Sequence, residues 1–475
     1  MTRRLAFATA VSALLAGCSF APPYHVPTSV APVAAFKSDP GWVPSQPSDA
    51  VAKGAWWQLF GDDALDALET RVAITNQNLA YYRANYAQAL SVVRVDQAAL
   101  LPTVGVTASG TRTGAISTHG PASSSFSAIG TASWEPDLWG ALTNTKRAAA
   151  ATAQATAAQL ANATLSAQGT LATDYLELRG IDAQAAMLDT TLVSYRRSYD
   201  VTRNQYNAGR VSSADVDSAR VTLANAEAQR RDLDRQRAAD ETAIAVLVGE
   251  NPSAFTIPKL AWKPVVPDVP AVVPSSVLER RPDIANAERL ASAANFNIGV
   301  ERAAFFPAVS LTAQAGSTAG AIGSLFGAAT SAWSLGASVA ETLLDFGARN
   351  ARVAGARAAY DAAVATYRQT VLNAFQEVEA NLAGVAAYRA EQMHYAVASQ
   401  AADRAEKVTL NEYRAGTVDF TTVTAAEVTA YQARSALIQN TVNQQTSAVA
   451  VIEAIGGQWT GTVDLNPSTK PPVAQ

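Results

Sequence analysis

Hydrophobic side chains recur along both halves of this chain at the spacing of coiled-coil helices. In the second half, valines stand at every seventh position and a second row follows three residues after each: Val364, Val371, Val378 and Val385, then Tyr367, Ala374, Asn381 and Tyr388. In the first half a similar row steps by threes, fours and one seven: Leu171, Tyr175, Leu178, Ala185, Leu188, Leu192, Tyr195 and Tyr199. Such seams predict long helices that pack against partner helices.

Proline placement marks where those helices can run. Residues 137–251 and 308–466 contain no proline, so helix interiors there are unbroken. We predict helices over 142–206 and 348–413, each roughly 98 Å long at 1.5 Å per residue. Shorter helices over 64–100 and 213–248 are predicted to stack end to end and match that reach. Periodicity alone leaves open a long soluble coiled coil.

The chain repeats itself at a shift of about 207 residues, which predicts an internal duplication. Asn204-Gln-Tyr-Asn-Ala-Gly209 matches Asn411-Glu-Tyr-Arg-Ala-Gly416, and Asp137-Leu-Trp-Gly140 matches Leu344-Asp-Phe-Gly347. Each half is predicted to run helix, strand, loop, strand, long helix, turn, helix. The predicted strands cover 103–109, 126–134, 308–315 and 333–341, with loops around 112–124 and 316–332.

Four strands per chain are too few for a closed membrane barrel, since known single-chain barrels of this type start at eight. Open strand edges therefore indicate closure by identical copies, with twelve strands from three chains or eight from two. Aromatic residues flank the strand-to-helix junctions, and both an interfacial and a buried position stay open for them: Trp134, Trp139, Trp333 and Phe346.

The N-terminus predicts export. Residues 1–17 have a basic start and a thirteen-residue apolar stretch, which indicates a signal peptide. The stretch ends in Leu15-Ala16-Gly17-Cys18, which resembles a bacterial lipobox, so we expect cleavage before Cys18 and covalent diacylglycerol and palmitate on it. The alternative is an ordinary cleavage near Ala16 that leaves Cys18 a free thiol. Because one lipid gives modest binding, a second anchor is expected.

Proline-rich stretches set the predicted boundaries of the remaining segments. After the signal peptide, the predicted segments are a lipidated extended segment over 18–62, repeat 1 over 63–255, a linker over 256–276, repeat 2 over 277–457 and a C-terminal tail over 458–475.

Composition excludes several classes of protein. The charge is nearly balanced, with 36 basic and 40 acidic side chains, so no nucleic-acid footprint appears. One Cys and three scattered His predict no disulfide and no metal site. Enzyme motifs with a nucleophilic Ser, a phosphate loop or paired His are absent, so we predict no enzyme and no cofactor apart from the covalent lipid.

The motifs taken together resemble the outer-membrane factor family, of the TolC-like, OprM/NodT lipoprotein type. The resemblance rests on the Cys18 box, Trp134-Glu-Pro-Asp-Leu-Trp-Gly140, Glu279-Arg-Arg-Pro-Asp-Ile284, Ala303-Ala-Phe-Phe-Pro307 and the paired Tyr-x-Ala-Gly turns. It implies a mainly α-helical protein with a small β part: a long coiled-coil α-helical barrel on a twelve-stranded trimeric β-barrel in the outer membrane of a Gram-negative bacterium.

The resemblance also implies a function. Lipid-anchored homotrimers of this family reach into the periplasm and passively export drugs or other small molecules, joined through a periplasmic adaptor to an inner-membrane pump of the resistance-nodulation-division type. Two alternatives stay open: an exit duct for type I protein secretion with the same fold, and a non-channel periplasmic coiled-coil lipoprotein scaffold.

Two glycine turns are the candidate functional sites, because the family docks its adaptor and narrows its tunnel there. Docking candidates are Gly209, Arg210, Val211, Arg414, Gly416, Thr417 and Val418. Gate candidates are Asp215 and Asp419, which threefold symmetry would turn into rings of negative charge. For Asp215 a capping box with Ser212 is the structural alternative, and Arg210 or Arg414 either pair with these acids or stay solvated. Thr422 and Ala425 stand where relatives often carry acids.

Overall fold

The computed structural model describes residues 19–28, 55–114, 116, 122–268 and 281–457. The predicted signal peptide, Cys18, the C-terminal tail and parts of the arm and linker lie outside the described residues. The first half contains a short 3-10 helix at Trp56–Phe60, then α1 (Asp63–Thr75), α2 (Gln77–Ala98), β1 (Thr103–Thr113), β2 (Ser123–Trp134), α3 (Ala141–Asn207) and α4 (Ser213–Leu247). The second half contains α5 (Pro282–Ala303), β3 (Ala308–Ala319), β4 (Ser331–Ala340), α6 (Ala348–Ala415) and α7 (Phe420–Ala454).

The two halves have the same order of elements, apart from α1. The predicted fold class, mainly helical with four strands and an internal duplication, is therefore confirmed. The segment boundaries in the sequence stay predictions. No helix among the described residues has both the length and the hydropathy that crossing a bilayer requires.

The long helices α3 and α6 contain 67 and 68 residues, about 100 Å each. The predicted seams point inward along both helices. In α6, Tyr367, Val371, Ala374, Val378 and Val385 are buried. In α3 the row from Leu171 to Tyr195 is buried as well, so both rows form coiled-coil contacts with neighbouring helices.

The predicted single helix over 64–100 is wrong, because Asn76 divides it into α1 and α2. The backbone of Asn76 is extended (φ −62°, ψ 121°), and its side-chain oxygen accepts the amide of Leu79 as an N-cap. Its side-chain amide also donates to the carbonyl of Leu247 at 2.8 Å. Asparagine competes with helix backbone for hydrogen bonds, so a break at this residue has a local cause.

Helix ends meet end to end at mid-height in both halves. The bond from Asn76 to Leu247 joins the start of α2 to the end of α4. In the second half Arg281, just before α5, donates to the carbonyl of Ala454 at the end of α7, also at 2.8 Å. These donors satisfy carbonyls that a helix C-terminus leaves unpaired. The predicted stacking is thus present, with α2 rather than the whole of 64–100 as the upper helix.

The strands form one antiparallel sheet in the order β1-β2-β3-β4. Every helix adjoining the sheet connects at the same end of it, and the two hairpin loops lie at the other end. The strands are longer than predicted, since β1 reaches Thr113, β2 starts at Ser123 and β3 reaches Ala319. Small polar residues in these extensions give little hydrophobic signal, although their backbones pair fully.

The largest core surrounds the helix-end joints and includes Trp56, Leu65, Tyr175, Ile244 and Val378.

Two acids lie within this region. Glu69 on α1 is 0% exposed, and neither carboxyl oxygen has a hydrogen-bond partner among the described residues. Burial, then Glu453 and Asp66, raises the pKa of Glu69 to about 9. Glu453 packs on Gly169, where a Cβ would lie 2.0 Å from its Oε1.

We predict that Glu69→Gln stabilises the protein at neutral and alkaline pH. Because the unfolded carboxyl ionises near 4.5 and the folded one near 9, the unfolded state binds fewer protons between these values, and stability falls as pH rises. The slope for one full proton is about 1.4 kcal/mol per pH unit. Thermal unfolding from pH 5 to 9 should show a higher and flatter Tm for Glu69→Gln, whereas the exposed-site variant Glu391→Gln should follow the unmodified chain. Parallel curves for all three proteins would contradict a buried neutral acid.

Candidate functional site

The sheet has one apolar and one polar face, set by alternation along each strand. Opposed residues in the register lie on the same face, so Val104 and Val106 of β1 share a face with Ala132 and Gly130 of β2. The apolar face continues across the sheet through Phe126, Ala128, Trp134, Val309, Leu311, Ala313, Ala315, Trp333, Leu335, Ala337 and Val339. The polar face consists mainly of Thr103, Thr107, Ser109, Thr111, Ser127, Thr131, Ser133, Ser310, Thr312, Gln314, Ser334 and Ser338.

Charge is almost absent from this sheet. Arg112, near the loop end of β1, is the one charged residue within the four strands. An apolar face beside a face of neutral hydroxyl and amide groups is the pattern of strands that separate lipid from a water-filled space.

Both outer strands are open. Within the described chain, β1 pairs only with β2 and β4 only with β3. Every residue of β1 and β4 is exposed, including Val106 at 80% and Trp333 at 75%. The outward-facing backbone N–H and C=O groups of β1 and β4, which contain eleven and ten residues, therefore have no strand partner within the described chain.

The junction aromatics divide between the two positions that the sequence left open. Trp134 and Trp139 are half-buried, and their indole N–H groups donate to the carbonyls of Leu100 at 3.0 Å and Pro307 at 2.7 Å. Trp333 and Phe346 are exposed, Phe346 at 92%. Trp134 and Trp139 therefore hold the ends of the strands against neighbouring segments. Trp333 lies on the apolar face of β4, and Phe346 follows β4 in the chain.

The N-terminal arm, residues 19–28, runs along α5 in the opposite direction. Three hydrogen bonds fix the arm to α5. Arg302 Nη1 donates to the Phe20 carbonyl (3.2 Å), Asn295 Nδ2 donates to the Pro22 carbonyl (2.9 Å), and Tyr24 Oη donates to Glu288 Oε1 (2.7 Å). The Phe20 ring stacks on Phe306 with centroids 4.4 Å apart, and Phe306 stacks on Trp139 at 4.9 Å. The start of the arm thus lies at the base of the sheet.

The first glycine turn joins α3 to α4 at the end far from the sheet. Gly209 has φ +70°, the left-handed conformation that ends many helices, and the amide of Arg210 donates to the carbonyl of Gln205 at 2.9 Å. Asp215 forms the capping box: its Oδ2 accepts from the Ser212 amide at 3.0 Å and from the Ser212 hydroxyl at 2.8 Å. The capping box predicted as the alternative role of Asp215 is therefore present, and a role of Asp215 in a gate would be in addition to it.

The second turn joins α6 to α7. Gly416 has φ +76°, and the amide of Thr417 donates to the carbonyl of Glu412 at 3.0 Å. Asp419 is the N-cap residue of α7, yet its carboxylate makes no capping hydrogen bond and is exposed. Its side chain is thus free for other contacts in a way that Asp215 is not.

The structure brings both turns to one end of the molecule. The hydroxyl of Tyr413 donates to Gln205 Oε1 at 2.5 Å and so links α6 to α3. Next to it, Ala219 of α4 packs with Phe420 and Val423 of α7. Arg210 and Arg414 are exposed, and in the described part of the chain neither forms an ion pair with Asp215 or Asp419. We name this region the tip, defined by residues 207–215 and 414–419.

Sequence reasoning missed a buried acid near the tip. Glu427 of α7 is 5% exposed, and Ser198 of α3 donates its hydroxyl to Oε1 at 3.2 Å. Its signal was present in the sequence, because it occupies a core position in the buried row that includes Val423 and Tyr431. An acid at a core position of a coiled-coil row is unusual and marks a special contact.

Comparison with known proteins gives one consistent result. The family model for outer membrane efflux proteins matches residues 70–250 and again 273–457. The toluene efflux pump outer membrane protein TtgC of Pseudomonas putida is 32% identical, over 99% of this chain and 100% of its own length.

Solved channels have the same fold. The outer-membrane channel OprN superposes with a TM-score of 0.85 at 28% identity, covering 93% of this chain and 100% of OprN. The open state of the Neisseria gonorrhoeae MtrE outer membrane channel gives 0.83 at 26% identity, covering 93% of this chain and 98% of MtrE. The predicted TolC-like fold, the outer-membrane efflux function and the absence of an enzymatic role are confirmed by these matches, and the chain belongs to the outer membrane efflux protein family.

Proposed function

We propose that three copies of this chain form a continuous exit duct, with their sheets closed into a twelve-stranded wall in the outer membrane. The two-faced sheet with open edges carries the proposal. Its strands of ten to twelve residues match the nine to eleven that a tilted strand needs to cross hydrocarbon. Lipid excludes unpaired backbone groups, so β1 of one copy must pair with β4 of the next.

The helices extend the same duct into the periplasm. Helices α2 and α4 are stacked end to end, and so are α5 and α7. The stacked pairs run beside the long helices α3 and α6, which are about 100 Å long. A non-channel scaffold would have no use for a sheet with an apolar face and a neutral polar face. The efflux duct is therefore the better account of the whole chain.

A lipid on Cys18 would enter the membrane at the base of the sheet. Ser19 is the first described residue, and its hydroxyl donates to Asn144 Oδ1 near the start of α3 at 2.9 Å. Cys18 directly precedes Ser19 in the sequence. Phe20 is held by the ring stack described above, and this contact supports an anchor beside the strand-to-helix junctions.

The tip is proposed as the docking surface for a periplasmic adaptor that connects the duct to an inner-membrane pump of the resistance-nodulation-division type. Its exposed groups are Gly209, Arg210, Arg414, Gly416 and Thr417, with Val211 and Val418 half-buried. Asp419 is the better gate candidate, because its carboxylate is unengaged, whereas Asp215 caps α4. Three copies of either acid around one axis would narrow the passage and concentrate negative charge.

The face assignment is tested by a matched pair of neighbouring substitutions. Val106→Asp would put a charge on the apolar face in every copy and should impair stable insertion, since charges on the lipid face of a barrel strand are destabilising. Thr107→Asp lies on the polar face and should insert normally and increase cation selectivity in planar bilayers. Equal insertion of both variants, or failure of Thr107→Asp alone, would contradict the proposed orientation of the sheet.

Lipidation is tested by the mass of the purified mature chain. We expect the unmodified protein to exceed the mass of residues 18–475 by the diacylglycerol and palmitate groups, and Cys18→Ser to lose that excess. Ser19→Ala is the control and should keep it. A mature chain without added lipid mass would overturn the assignment of Cys18.

The gate is tested by conductance. Asp419→Ala should raise single-channel conductance, and the double variant with Asp215→Ala should raise it further, because negative charge and side-chain bulk leave the narrow end. Ser212→Ala separates the two roles of Asp215, since it removes the cap and keeps the acid. Asp217→Ala, on an exposed position of α4, is the neutral control. Unchanged conductance in the double variant would remove both acids from the gate.

A further inference from the structure

Glu427 lies in the contact between the two helical hairpins, α3–α4 and α6–α7. It is eleven residues after Gly416, roughly 16 Å along the helix axis from the turn. The Ser198 hydroxyl, at 3.2 Å from Oε1, is the hydrogen-bond donor to this carboxylate among the described residues. A buried carboxylate needs several donors or a cation to be stable as an ion, and one neutral hydroxyl supplies little.

The surroundings on either side of Glu427 are apolar. Toward the tip, Ala219, Phe420 and Val423 form one buried cluster. Toward the middle of the molecule, Tyr195 and Tyr431 belong to a second cluster. The acid therefore separates two hydrophobic contacts that together hold the tip ends of α4 and α7 and the neighbouring part of α3.

No cation in the described structure neutralises Glu427. Arg434 on the same helix donates instead to Asp403 at 2.7 Å and Glu406 at 2.5 Å, both on α6. The other titratable groups near this level are Tyr195 on α3, Glu406 on α6 and Tyr431 on α7, while Glu227 of α4 pairs with Arg196 of α3. Glu406 adds negative potential at Glu427, so its neighbours favour the neutral acid.

These contacts put the change of charge in the neutral range. Burial, opposed by the Ser198 hydrogen bond and helped by Glu406, raises the pKa of Glu427 to about 7. The folded contact holds its proton more tightly than an open one, in which the carboxyl ionises near its ordinary value of 4.5. The stabilisation of the closed contact is therefore complete below pH 4.5, and it is lost progressively as pH rises from 4.5 through about 7.

We propose that Glu427 is a proton-controlled latch between the hairpins: the neutral acid keeps α7 packed on α3, and its ionisation loosens that contact and favours opening of the tip. The inference deepens the proposed duct, because it assigns a regulation to the end that would be gated. It involves proton loss to solvent and no other chemistry.

Hydrogen exchange tests the latch without relying on conduction. Amide exchange of residues 420–431 is compared between the unmodified trimer and Glu427→Gln at each pH, so that the intrinsic pH dependence of exchange cancels. We expect nearly equal exchange at pH 4. Above pH 4.5 exchange in the unmodified protein should become progressively faster than in Glu427→Gln and level off above pH 7, so that it is at least several-fold faster at pH 8. Glu412→Gln, an exposed acid on α6, should behave as the unmodified protein.

Ser198→Ala provides an independent variant that keeps the acid. Removal of the hydroxyl takes away stabilisation of the charged form in the closed contact, so the pH at which the exchange difference levels off should move up by about one pH unit. Light scattering checks that every variant keeps the oligomeric mass of the unmodified protein.

Single-channel recording then connects the latch to the duct. Conductance should rise with pH in the unmodified protein and stay at its low-pH value in Glu427→Gln. Identical exchange of Glu427→Gln and the unmodified protein at pH 8 would overturn the latch, whatever the channel conducts. A clear exchange difference in a protein that never conducts would support the latch and contradict the duct.

Discussion

Unpaired backbone groups at the two edges of the sheet govern this structure. β1 and β4 are fully exposed, and the face that they share with β2 and β3 is apolar from Val104 to Val339. An apolar face favours hydrocarbon, yet hydrocarbon offers nothing to an open edge. Both demands are met together only when the edges of identical copies pair. The fold of one chain is thus incomplete by construction, and assembly and membrane insertion are one physical problem.

The duplicated architecture solves a second problem, which is the length of the helical part. Two pairs of stacked helices run beside the continuous helices α3 and α6. At each joint a side chain donates to a carbonyl at a helix C-terminus, from Asn76 in one half and from Arg281 in the other. The largest core lies around these joints, so stability is concentrated at mid-height. The tip is held by smaller clusters, which leaves it the easiest part to rearrange.

Long-range periodicity and proline placement were enough to predict the elements that dominate the fold. The seams around Val371 and Tyr175, the strand order of each half and both glycine turns followed from spacing alone. The break at Asn76 was missed because one asparagine is a weak local signal, and the bond that adds to its N-cap runs to Leu247, 171 residues away. The buried state of Glu427 also depends on a partner helix. The sequence analysis missed this acid, and sequence alone does not supply the contacts that shift its pKa.

The structure therefore describes an outer-membrane efflux channel whose sheet and tip come from separate parts of one duplicated chain. Neutral hydroxyl groups line one face of the sheet, and the proposed gate acids Asp215 and Asp419 lie at the tip. The central claim is that identical chains complete the wall. Native mass spectrometry of the detergent-extracted protein tests it directly: a species of three chains is expected, and a stable monomer that keeps its strand content would contradict the account.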